Sequence, residues 1–161
     1  GNPRFFRRLA EGVFDHEDLV ARTHELAAFI QSASDEYGFA LSSVIAVGYS
    51  NGANIAASLM LLHPGLVTRA VLFRSMLPFQ PTEPIDLNGS SVLLLAGRYD
   101  NLIPSESVET LASVLQGLDI IDQVVYAGHR DESSLIAVVG NFLLDRWVHF
   151  FLPKLMFFTL L

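Results

Sequence analysis

The sequence predicts an α/β domain with a mostly parallel sheet flanked by helices. Short β-branched apolar runs alternate with helical stretches, which is the order of βαβ units. The runs are apolar throughout, as strands covered on both faces are, and the connections between them are short. With 161 residues, 51% of them apolar, the chain can bury a real core, and its length favours one domain spanning 1–161.

The elements follow in order. Residues 15–37, DHEDLVARTHELAAFIQSASDEY, carry an N-cap aspartate, acids in the first turn and Leu19, Leu26 and Ile30 on one side before Gly38, the pattern of a helix. SSVIAVG (42–48) reads as a strand, and NGANIAASLMLL (51–62) as a helix that packs closely through its small residues and stops at His63-Pro64-Gly65. TRAVLF (68–73) and SVLLLAG (91–97) are strands separated by a proline-rich loop from Leu77 to Asn88. SESVETLASVLQG (105–117) is a helix, IDQVVYAG (121–128) a strand, and residues 133–147 a last helix.

Composition removes several function classes. Seventeen acidic against ten basic side chains give a net charge of −7, and the cations are scattered, so nucleic acid is not an expected partner. There is no cysteine, which excludes disulfides, thiolate chemistry and cysteine-ligated metals, and the five histidines show no H-x-x-x-H spacing, so a zinc site is not expected. The opening GNPRFF has no initiator methionine and no targeting pattern, and reads as an internal cut. A cytoplasmic location is the expectation.

Gly48-Tyr49-Ser50-Asn51-Gly52 fits G-x-S-x-G, and its flanks carry more information than its five letters. A buried strand enters the motif and a helix leaves it, as a nucleophile elbow requires. Side chains at the two glycines would collide with neighbouring backbone in so sharp a turn, so Ser50 is held clear of the sheet. The amide of Asn51, at the helix start, points toward a developing oxyanion. The plain alternative is an ordinary tight strand-to-helix turn with a serine there by chance.

A serine hydroxyl needs a base, and in elbow-bearing folds the partners follow in the order Ser, Asp or Glu, His. Asp100 lies just beyond SVLLLAG and His129 just beyond the last strand, both on loops at the carboxyl ends of strands, the side of the sheet where Ser50 stands. His16 and His24 precede the serine, His63 ends its helix and His149 sits in an apolar segment, while Asp86, Asp119 and Asp122 lie at the opposite ends of their strands. The triad read from the sequence is therefore Ser50, Asp100 and His129. Phe5, Phe6 and Met76, with Leu77 and Phe79, are candidates for an acyl-pocket wall, against the commoner reading of such residues as core. Arg7 and Arg8 read as solvated surface, with attraction of an anionic group as the other reading.

These residues resemble the bacterial phospholipase/carboxylesterase family of the α/β-hydrolase superfamily, related to acyl-protein thioesterases. The resemblance runs through PRFFRRLAEGVFDHEDL, IAVGYSNGANIAASL, LLLAGRYDNLIP and AGH, most of residues 3–130. It implies an α/β-hydrolase fold and a cofactor-independent carboxylesterase acting on small-molecule esters, with Ser50 as nucleophile, His129 as general base and acid, and Asp100 as its orienting carboxylate. A thioesterase, lysophospholipase or peptidase would use the same triad. Members also begin with a strand and a His-Gly-rich loop that supplies the second oxyanion amide; nothing like it precedes GNPRFF, so the chain reads as truncated at its N-terminus. At the other end, NFLLDRWVHFFLPKLMFFTLL is markedly apolar but is interrupted by Asp145, Arg146, Pro153 and Lys154, short of the roughly 18–20 residues a membrane span needs. A packed terminal helix with a disordered or altered tail, about 148–161, is preferred to interfacial membrane attachment or a homodimer contact. The reading from a different class is a non-catalytic fragment or interaction module.

Overall fold

The computed structural model describes residues 4–10, 12–83, 85–87, 89–97, 100, 103–117, 121–127 and 139, with only the backbone of 116, 117 and 121–127. Its elements in chain order are β1 (Arg8–Ala10), β2 (Val13–Phe14), α1 (His16–Tyr37), β3 (Ile45–Tyr49), α2 (Asn51–Leu62), β4 (Arg69–Phe73), β5 (Ser91–Gly97), α3 (Ser105–Gly117) and β6 (Ile121–Ala127). Strands β3 to β6 form one parallel sheet in the order β3-β4-β5-β6. The helix predicted at 133–147, the apolar tail and His129 lie outside the described residues, apart from Val139.

Local chemistry sets the element ends. The Asp15 carboxylate accepts the Asp18 N–H at 3.2 Å and caps α1, and Glu17 and Asp18 place negative charge in its first turn. The Asp18 amide and the Arg7 guanidinium hold the Asp15 carboxyl below the ordinary carboxylate range. Gly38 closes the helix at φ 64°, its N–H donating to the Ser34 carbonyl at 2.9 Å. The strand predicted from residue 42 begins at Ile45, because Leu41–Ser43 form a single 3-10 turn in which the Ser43 hydroxyl donates to the Ala40 carbonyl at 2.6 Å.

The unbroken apolar runs are explained by burial on both faces. Ala70, Leu72, Val92, Leu94 and Ala96 pack on one face with α2 and α3, while Val71, Leu93 and Leu95 pack on the other with Val47, Phe73 and Val139. Helix α2 is buried nearly all round, as its mostly apolar composition requires. It meets the sheet through Ala53, Ala56 and Ala57, and α1 through Leu59. Between α1 and α2 the buried Thr23 hydroxyl bonds to the Leu19 carbonyl at 2.7 Å and to the Ser58 hydroxyl at 2.8 Å.

One element has no counterpart in the sequence reading. Strands β1 and β2 pair antiparallel around Gly12 at φ 71°, and Phe6 and Phe14 meet edge to face at 5.3 Å. This small hairpin closes the core over Leu19 and Ile55. It also pairs Arg7 with Asp15 at 2.6 Å.

His24 on α1 and His63 at the end of α2 bond to each other, Nδ1 to Nε2, at 2.8 Å. Burial, and then the charge of His24, push the His63 pKa below its ordinary 6.5. The folded state therefore binds fewer protons than the unfolded chain below that pH, so the contribution is complete above 6.5 and is lost as pH falls from there through the lowered folded value. The midpoint of thermal unfolding is expected to drop between about pH 8 and pH 5, and His63→Gln to remove part of that drop in a melting series.

Candidate active site

Ser50 stands between β3 and α2 at φ 52° and ψ −110°, a backbone region that non-glycine residues rarely adopt. Such a conformation costs about 1–3 kcal/mol and persists only where the surroundings dictate it. Here the Ser50 N–H donates to the Phe73 carbonyl at 2.8 Å, and the Asn54 N–H donates to the Ser50 carbonyl at 3.0 Å. The turn is tight enough that a Cβ on Gly48 would lie 2.5 Å from the backbone of Gly52 and Ala53. The half-buried Ser50 hydroxyl makes no capping bond to the helix.

Asn51 is the first residue of α2, so its N–H has no carbonyl one turn back within the helix. Its side chain is engaged elsewhere: Oδ1 accepts the Phe5 N–H at 2.8 Å and Nδ2 donates to the Phe6 carbonyl at 3.5 Å. The Asn51 side chain thereby ties residues 5 and 6 to the elbow.

Asp100 follows the carboxyl end of β5, its N–H donating to the Gly97 carbonyl at 3.3 Å. Because Tyr49, Phe73 and Leu95 are in register, Ser50, Arg74 and Asp100 all leave the sheet at one rim. The strand preceding His129 ends at Ala127, paired with Gly97, so it reaches the same rim.

The sequence reading missed Arg74. Its Nε and Nη2 grip the Asp100 carboxylate, Nη2 to Oδ1 at 2.7 Å, and Nη1 donates to the Tyr49 hydroxyl at 2.7 Å. The guanidinium carbon lies 5.5 Å from the centre of the Tyr49 ring. The Asp100 side chain is only 7% exposed, and its bond to Arg74 raises the guanidinium pKa above its ordinary value. The Ile103 N–H adds a further donor, to Oδ1 at 3.1 Å. The available signal was positional: Arg74 follows β4 as Ser50 follows β3.

Asn54 was also missed. Its buried Oδ1 accepts the Ser75 hydroxyl at 3.1 Å and the Met76 N–H at 2.8 Å, which fixes the loop after β4 against α2. Met76 is thereby held half-buried against Phe6 and Ile55. Phe6, 2% exposed, lies in the core, whereas half-buried Phe5 lines a small apolar groove with Leu26, Val47, Gly52 and Ile55, partly open to solvent. Among the described residues there is no cluster of three or more metal-ligating side chains, and no helix is long and apolar enough to cross a membrane.

A parallel sheet flanked by helices, with a strained serine between a strand and a helix at its carboxyl rim, defines an α/β-hydrolase fold. The chain superimposes on the Bacillus cereus carboxylesterase with a TM-score of 0.82 at 37% identity, covering 90% of this chain and 69% of that one. It superimposes on a carboxylesterase from Mesorhizobium loti with a TM-score of 0.79 at 34% identity, covering 88% and 68%. Residues 9–144 match the phospholipase/carboxylesterase family, and the chain belongs to it. It is also 48% identical over 116 residues to the Bacillus subtilis protein MhqD, a match that spans 72% of this chain and 58% of that protein.

Proposed function

We propose that the chain carries the nucleophile and acid of a serine carboxylesterase. The observation that carries this reading is the backbone of Ser50, strained between β3 and α2 beside a rim that also bears Asp100. Membership of a carboxylesterase family supports the reaction class.

In the proposed reaction His129 removes the Ser50 Oγ proton as that oxygen attacks the ester carbonyl, while Asp100 steadies the imidazolium. The Asn51 N–H donates to the oxyanion of the tetrahedral intermediate. The C–O bond to the leaving alcohol then breaks, and His129 returns the proton to that oxygen. Water, deprotonated by the same imidazole, attacks the acyl-enzyme carbonyl; the acyl–Oγ bond breaks, His129 returns the proton to Ser50 Oγ and the carboxylic acid leaves. Phe5 and Met76, tied to the elbow through Asn51 and Asn54, are proposed to contact the acyl group, with Phe6 supporting them from the core. A small carboxylic ester is the proposed partner.

A fluorophosphonate probe tests the reading directly, since it phosphonylates a serine only where a base has activated it. Peptide mapping is expected to find the label on the peptide containing Ser50. Label on another serine, or none under conditions that label a control esterase, would overturn it, and the absence of label would favour the non-catalytic module.

A further inference from the structure

Among the described residues, two besides glycine have positive φ: Ser50 at 52° and Arg74 at 51°. They occupy equivalent places, each the first residue after a strand at the carboxyl rim, each donating its N–H to the last paired carbonyl of the next strand: Ser50 to Phe73 at 2.8 Å, Arg74 to Leu95 at 2.9 Å. Glycine or asparagine would take that backbone at lower cost. An arginine kept there points to a use for its side chain.

That side chain grips the proposed triad acid. A guanidinium fork fixes a carboxylate in its own plane, which a single point charge does not. The fork is itself held by the Tyr49 hydroxyl and ring, and Tyr49 is the residue immediately before Ser50. The chain Tyr49, Arg74, Asp100 thus links the elbow to the acid across three adjacent strands. The Ile103 N–H, by contrast, constrains Oδ1 alone.

We propose that Arg74 is a positioning residue of the esterase, holding the Asp100 carboxylate in the plane and orientation in which it serves His129. The proposal rests on the triad reading above. It assigns a purpose to the strain at residue 74 and to the tyrosine inside the G-x-S-x-G motif.

A double-mutant cycle on ester hydrolysis tests it, using Arg74→Gln, Asp100→Asn and the pair. Arg74→Gln is expected to lower kcat about 10–100-fold, by analogy with the outer partners that orient metal ligands, with KM nearly unchanged. Arg74→Lys is expected to recover part of the loss, because it restores the charge without the fork. In the Asp100→Asn background, Arg74→Gln is expected to change kcat less than about twofold, since a residue acting through Asp100 has nothing left to position. Full additivity in the cycle, or an unchanged kcat in Arg74→Gln, would overturn the proposal. An unchanged kcat in Asp100→Asn alone would instead sink the triad reading. Circular dichroism and thermal melts of each variant separate misfolding from mispositioning, and if Arg74→Gln fails to fold the cycle is run with Arg74→Lys.

Discussion

Ser50→Ala is expected to abolish ester turnover, lowering kcat by about 10⁶, and Asp100→Asn to lower it by about 10⁴, with p-nitrophenyl acetate as substrate. The two losses differ in what accompanies them. The Ser50 hydroxyl makes no capping bond, and alanine keeps the Cβ at the strained φ, so the melting midpoint of Ser50→Ala is expected to stay close to that of the unchanged chain. Asp100 is nearly buried and supplies the anion for Arg74. An asparagine there presents an amide to the guanidinium and leaves a partly buried charge without its counterion, so activity and midpoint fall together. Turnover in Ser50→Ala comparable to the unchanged chain would remove the nucleophile assignment.

The parallel sheet was legible because β4 and β5 are buried on both faces and therefore apolar along their length, and α1 because Asp15 and Gly38 mark its ends. The elbow was legible for the same kind of reason: Gly48 stands where no other residue fits. The β1–β2 hairpin was not, since strands of three and two residues, the first opening on Arg8, carry no periodicity to read. Its closure depends on Phe6 and Phe14 meeting Leu19 and Ile55, contacts that exist only after folding. Arg74 was hidden for a related reason. Its pairing with Asp100 spans 26 residues of sequence, and only the register of β3, β4 and β5 brings the two to one rim. Likewise His24 and His63, set aside as candidate bases, stand 39 residues apart and meet at one bond between two helices.

Gly48→Ala is expected to damage both stability and site, and its cause differs from that of other glycine replacements. Gly38, at φ 64° with nothing within 4 Å of an added methyl, would suffer backbone strain alone, on the order of 1–2 kcal/mol. At Gly48 no left-handed φ is involved, yet the added Cβ falls 2.5 Å from Ala53 N and from the carbonyl carbon and oxygen of Gly52. Those atoms are the first turn of α2, which cannot rotate away as a side chain could. Relief requires α2 to move off β3, and α2 is packed through Ala53, Ala56 and Ala57 onto the sheet and through Leu59 onto α1. Overpacking of this kind costs about 1–3 kcal/mol, often more where backbone must move, or several degrees of melting midpoint in a chain of this size. The same movement would shift the Asn51 amide from its proposed oxyanion position and release the bonds that hold Ser50 at φ 52°, so fluorophosphonate labelling is expected to fall with the midpoint. Gly38→Ala should lower the midpoint and leave labelling intact. A Gly48→Ala chain that melts and labels like the unchanged one would mean that the elbow is looser than its geometry implies.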